Sequence, residues 1–404
     1  MWPGGFPVCL ATAHGARLTD IDGNYYADFC LGDTGAMAGH SPEPVQAAIA
    51  ERYAQLGGAT TMLPTQDAAW VATELAQRFG PEFWSFTLSA TDANRWALRL
   101  ARQLTGRPKV AVFSYCYHGS VDESFIIATP DGPKSRPGNT GPAVDPTLTT
   151  RVAEFNDLDA LDRELAAGDV AVLLMEPALT NIGIVLPEPG YLEAVRELTR
   201  RYGVLLINDE THTFSAGPGG CTRAWNLDPD IVTIGKSIGG GITCGAYGLA
   251  ADLAERILKD ESADLADTGG VGGTLAGNAL SVAAMRATLE HVLTDSAFEH
   301  MISLATEYAR GVEEVIARRR MPWHISQLGA RAEYRFCPAP PRTGGESAAA
   351  ADPELDEYLH LYLANRGILI TPFHNMALMC PATTAADVAR HTELFAAAAD
   401  ELIG

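Results

Sequence analysis

The chain has 404 residues, 47% hydrophobic and 20% charged, with a net charge of −21 at pH 7. That length favours one large and one small domain over a single ordinary one, and that charge argues against nucleic acid and anionic membrane as partners. Seven cysteines without a CxxC pair read as the reduced thiols of a cytoplasmic protein, with no apolar run of about 18 residues to span a bilayer and no signal-peptide pattern at the start.

In chain order, two alternating runs flank Asp22-Gly23-Asn24 and predict a hairpin over residues 16–29. A glycine-rich loop, Gly32 to Gly39, leads to Ser41-Pro42, a helix start, and helical spacing follows over 43–56 and 66–79. The stretch Phe86-Thr87-Leu88-Ser89-Ala90-Thr91-Asp92 passes from a short strand through small hydroxyl residues into a long helix. Free N–H groups at such a helix start can cradle a phosphate; simple N-capping by Ser89 or Thr91 explains the same pattern. A strand over 109–114 ends at Tyr117-His118-Gly119, and residues 129–150, rich in proline and glycine, read as a long functional or interface loop.

Helix 157–167, strand 170–175 ending at Glu176-Pro177, and helix 189–202 come next. Alternating apolar strands and helices predict an α/β fold with a mainly parallel, doubly covered sheet. The central stretch pairs two apolar runs: Val204–Ile207 delivers Asp209-Glu210, and Ile231–Ile234 delivers Gly235-Lys236. Ligands of open α/β sheets sit at the strands' carboxyl ends. An acid and a lysine there suit pyridoxal phosphate, whose aldehyde condenses with lysine and whose pyridinium nitrogen takes a carboxylate partner. A lysine following a strand is equally an ordinary exposed one. Beyond it lie a short strand over 246–250, the glycine-rich 269–275, helical pattern over 279–319, and helices at 352–366 and 385–402. The segment 338–352 reads as a mobile surface loop.

Taken as an ordered series, Asp20-Ile21-Asp22-Gly23, Gly39-His40-Ser41, Ser89-Ala90-Thr91-Asp92-Ala93, Tyr117-His118-Gly119, Glu176-Pro177, Asp209-Glu210, Gly235-Lys236 and Gly273-Thr274 resemble the class III pyridoxal-phosphate aminotransferases, in the branch containing glutamate-1-semialdehyde aminomutase. The resemblance covers nearly the whole chain. It implies fold type I: a large domain (residues 41–280) around a seven-stranded sheet, a small α+β domain (281–404) joined by residues 1–40, and a homodimer with shared sites. It implies pyridoxal 5′-phosphate as cofactor, with Lys236 as Schiff-base lysine and proton shuttle, and Asp209 on the pyridinium nitrogen. Tyr117 would stack on the ring beside His118; Ser89, Ala90 and Thr91 would hold the phosphate, with Gly273 and Thr274 added from the other subunit; Glu176 would help position the cofactor.

This chain departs from the family pattern at Ala90, usually glycine, at Asp92, usually glutamate, and at Thr213–Ala216, where an arginine is lost. His212 stands where the family usually has glutamine or methionine; an imidazole there could reach the cofactor's phenolic oxygen or turn aside to backbone. Arg331, on a predicted strand, is the candidate for a substrate carboxylate, with pairing to Glu333 as the alternative. The function expected is an aminotransferase passing an amino group from an amine or amino acid to a keto acid or ketone, with an aminomutase or racemase as the alternative. No metal is expected.

Overall fold

A computed structural model describes residues 8–260, 265 and 273–403. Seven strands form the central sheet: β1 (Phe83–Thr87), β2 (Lys109–Phe113), β3 (Thr150–Ala153), β4 (Val170–Met175), β5 (Leu205–Asp209), β6 (Ile231–Gly235) and β7 (Gly245–Leu249). Their spatial order is β1-β7-β6-β5-β4-β2-β3. From β6 to β3 all neighbours pair in parallel, while β7 runs antiparallel to both β6 and β1. This is the seven-stranded, mainly parallel sheet expected. Every residue of β4 and β6 is buried, because a parallel sheet is covered on both faces. That is why both strands read as unbroken apolar runs instead of alternating ones.

Local sequence sets the elements that matter for the site. The helix Ala90–Thr105 starts at Ser89, whose hydroxyl accepts from the Asp92 amide (3.2 Å), and stops at Gly106 in the left-handed region. Its buried Ala93, Ala97, Leu98 and Ala101 recur at helical spacing on the face turned to the core, and burying a side chain such as Leu98 stabilises by roughly 1.5–3 kcal/mol. The predicted hairpin forms between Arg17–Asp20 and Tyr25–Asp28. Asp20 holds its turn by accepting from the amides of Asp22 (3.0 Å) and Asn24 (2.8 Å). Tyr25–Asp28 then pairs in parallel with Ile368–Leu369, so the chain's first strands are joined to its last part. A third sheet consists of His324–Leu328, Arg331–Arg335 and Met376–Leu378.

Three expectations need correction. Residues 338–352 are not a bare mobile loop: they contain the helix Gly344–Ala349, capped by Thr343 (Glu346 amide to Thr343 Oγ1, 3.0 Å), and its buried Ser347 donates to the Ile182 carbonyl. The Thr-x-x-Glu spacing is the start of a capping box. The loop over 129–150 holds a strand, Lys134–Ser135, that pairs with Ile126–Ile127. The helical run over 279–319 is two helices, Ala279–His291 and Asp295–Arg319, the second capped by Thr294.

Candidate active site

Because β1 to β6 share one direction, their carboxyl ends meet at one edge, and the residues that follow them line a cavity of about 580 Å³. Ser89, Ala90 and Thr91 arrive after β1, Tyr117 and His118 after β2, Asp209 and His212 from β5, and Lys236 from β6. The sequence-derived candidates therefore converge.

Asp209 is buried, and both of its carboxylate oxygens accept hydrogen bonds. Oδ2 accepts from Asn94 Nδ2 and from His118 Nδ1, both at 2.8 Å, and Oδ1 accepts from the Thr211 amide at 3.1 Å. Burial alone would raise its pKa, but the His118 hydrogen bond and charge, with Thr211 and Asn94, hold it below the usual carboxylate range. Burial likewise opposes a charged His118, yet Cys116 and Asp209 raise its imidazole well above its usual range. Asn94 is oriented in turn by Thr233, which donates to Oδ1 at 2.6 Å. The second acid of the pair does different work. Glu210 accepts from the amides of Cys221 (3.0 Å) and Thr222 (2.6 Å) and from the hydroxyls of Thr213 and Thr222, so it pins the loop behind the site.

Lys236 follows β6 in the left-handed region (φ 50°), and its Nζ lies 2.7 Å from His212 Nε2 and 3.1 Å from Asp33 Oδ2. On the other side of the ring, His212 Nδ1 lies 2.9 Å from Thr34 Oγ1 and 3.3 Å from Arg331 Nη2. A guanidinium can only donate, so Nδ1 is the accepting nitrogen and Nε2 faces the lysine. Burial, then the charges of Lys236 and Arg331, push the His212 pKa well below its usual value.

The helix start at Ser89–Thr91 is hemmed in by glycines. A Cβ on Gly235 would sit 2.8 Å from the Ala90 amide nitrogen, and one on Gly119 would overlap the Thr91 hydroxyl. These approaches leave the helix N-terminus open toward the cavity, where its amides suit an anion. Tyr117 is 39% exposed at the cavity wall, edge-on to Phe125. Lysine, buried aspartate, aromatic wall and helix start together fit a phosphorylated pyridine aldehyde.

Four predicted site residues stand outside the cavity lining. Glu176 is buried behind it, accepts from Thr180, and is raised to about 7 by burial, against the lowering charge of His118. Arg331 is buried (1% exposed), donating to Thr34 Oγ1 at 2.5 Å and reaching His212. Gly273 and Thr274 are exposed. Sequence reasoning gave no role to Asp33, Thr34, Asn94 or His374. Asn94 lies one turn into the quoted helix start, and Asp33 and Thr34 in the noted glycine-rich loop, so the position was visible though the contact was not. Among the described residues no cluster of three or more potential metal ligands occurs.

The sheet order and this site define a pyridoxal-phosphate enzyme of fold type I. The chain belongs to the class III aminotransferases: the family model "Aminotransferase class-III" matches residues 3–398. It is 35% identical over 382 residues to the glutamate-1-semialdehyde 2,1-aminomutase of Chloroflexus aggregans, covering 91% of this chain and 85% of that one. A glutamate-1-semialdehyde-aminomutase from Pseudomonas aeruginosa PAO1, solved in complex with PMP, superposes with a TM-score of 0.96 at 50% identity, over 99% of this chain and 89% of that one. An omega-transaminase from Sphaerobacter thermophilus follows at a TM-score of 0.90 and 27% identity, over 100% and 93%. The cofactor is accordingly pyridoxal 5′-phosphate. The expectation of a transaminase with a separate keto acceptor is corrected by these relatives, since those of higher identity carry the name of an isomerase.

Proposed function

We propose that the protein is a pyridoxal-phosphate-dependent aminomutase, which moves an amino group between neighbouring carbons of one small amino-carbonyl compound. The observation that carries this reading is the 50% identity to a named aminomutase over nearly the whole chain, with Lys236 and Asp209 both in place. Glutamate 1-semialdehyde is the substrate to test first. Moving its C2 amine to C1 while C2 becomes the ketone gives 5-amino-4-oxopentanoate, an isomer, so no oxidant, reductant or second substrate is consumed.

When bound, the cofactor supplies an electron sink beside the carbon that carries the amine. Asp209, kept ionised by His118 and Asn94, would hold the proton on the pyridine nitrogen. Lys236 would hold the cofactor through its Nζ, and that amine, once released, would be the base placed to take and return the proton at the two neighbouring substrate carbons. The helix start at Ser89, Ala90 and Thr91 would hold the phosphate, Tyr117 and His118 would lie beside the ring, and Gly273 and Thr274 would serve the site of a second copy in a homodimer. The test is incubation of the purified holoenzyme with glutamate 1-semialdehyde as sole substrate. Formation of 5-amino-4-oxopentanoate without any keto acid is expected; turnover that requires a keto acid would overturn the reading.

A further inference from the structure

The strand Arg331–Arg335 carries charge on alternate residues, so Arg331, Glu333 and Arg335 share one face, and all three are buried. Arg331 meets Thr34 and His212 through Nη2 and keeps a buried Nε without a partner, and Arg335 donates to the Ser347 carbonyl. Glu333, 1% exposed, has one oxygen 3.3 Å from His374 Nδ1 and the other without a partner. The His374 amide donates to the Thr371 carbonyl (3.0 Å), closing a turn whose Phe373 and His374 line the cavity. The His374 side chain is only 8% exposed, and its Nε2 has no partner among the described residues. A buried carboxylate thus fixes an imidazole by one nitrogen and leaves the other for the cavity.

The surrounding groups narrow what that nitrogen can meet. A chain of net charge −21 must hold an anionic substrate by local donors, yet no arginine of the described residues lines the cavity. Of the imidazoles at its wall, His212 is held on both nitrogens, by Lys236 on one side and Thr34 and Arg331 on the other, while His118 meets Asp209 through Nδ1 and keeps a fully buried Nε2 without a partner. His374 meets Glu333 through Nδ1, which leaves Nε2 as the nitrogen available to a ligand in the cavity. We infer that the Glu333–His374 pair is the substrate-positioning site that receives the carboxylate end of the substrate, the task first assigned to Arg331. This rests on the proposed function only in taking the substrate to be a short carboxylate-bearing amino-carbonyl compound.

Binding to the holoenzyme, measured by calorimetry, tests it apart from any turnover. The probes are 4-oxopentanoate and 2-pentanone, a carboxylate-free counterpart of the same chain length. His374→Leu is expected to weaken 4-oxopentanoate at least tenfold and leave 2-pentanone unchanged. His374→Gln, which keeps an N–H donor, should recover part of the loss, and Glu333→Gln should weaken 4-oxopentanoate severalfold at nearly constant side-chain volume. Equal weakening of both probes, or unchanged 4-oxopentanoate binding in a cofactor-retaining His374→Leu or Glu333→Gln variant, overturns the assignment. A holoenzyme that fails to isomerise glutamate 1-semialdehyde while showing this binding pattern would remove the aminomutase reading alone.

Discussion

At the scale of single residues, the site is a set of charges whose surroundings decide their work. Asn94 and His118 leave Asp209 ionised at the cavity floor, so Asp209→Asn should keep the fold and lose at least roughly a hundredfold in turnover, the usual consequence of removing a fixed electrostatic partner. Steady-state rates beside an unchanged circular dichroism spectrum check this; a near wild-type rate would place the acid partner elsewhere. Glu176 gives a pH prediction. Its carboxyl, raised to about 7 mainly by burial, binds its proton more tightly folded than unfolded. Its contribution is fully present below the unfolded value near 4.5 and is lost as pH rises through about 7, a penalty on the order of 3 kcal/mol by pH 8. Glu176→Gln should therefore lose less stability than the wild type between pH 5 and pH 8, read from urea midpoints at both. Parallel losses would show that Glu176 is ionised in the fold at neutral pH. Much of this was legible: the acid and lysine declared themselves by following apolar runs. Asp33 and His374 did not, because each matters through a partner 203 or 41 residues away, Lys236 and Glu333, and no local pattern encodes such a meeting.

At the scale of elements, strands fully buried on both faces were the easiest to read, and the helix Gln66–Phe79 fell where its periodicity put it. The reversed direction of β7 was not legible, since Gly245–Leu249 is buried throughout, as the parallel strands β4 and β6 are. Direction is set by the connection, and the short path from Lys236 through Gly239–Gly241 leaves no room for a crossover helix. That short path also carries Thr243 and Cys244 along the cavity wall. The glycine at 119 has a similarly local purpose. It sits at φ 79°, and a Cβ there would overlap the Thr91 hydroxyl and lie 2.8 Å from the Thr91 Cβ. Gly119→Ala should displace the start of the helix Ala90–Thr105 and weaken cofactor binding by about 1–3 kcal/mol, the usual cost of forced overpacking. Equilibrium dialysis of the cofactor measures it; unchanged affinity would mean that the helix start does not hold the phosphate.

At the scale of the whole molecule, the remaining question is what Gly273 and Thr274 do so far from their expected partner. Both are exposed, and nothing lies within 4 Å of a Cβ built on Gly273. Tyr53, Leu56, Met62 and Leu63 are also largely exposed, within one short segment, the kind of apolar patch that marks an interaction surface. The proposed homodimer would give both observations one cause: a second copy would cover the patch, and Thr274 would donate its hydroxyl to the phosphate in that copy's site. Removing one charge-assisted hydrogen bond costs about 1.5–3 kcal/mol, so Thr274→Ala should weaken cofactor affinity roughly tenfold to a hundredfold without moving the dimer–monomer equilibrium. Wild-type affinity should also fall on dilution below that equilibrium, with the same protein concentration marking both transitions in sedimentation and in cofactor fluorescence. A Thr274→Ala variant of unchanged affinity, or a monomer that binds cofactor as tightly as the dimer, would show each site to be complete within one chain.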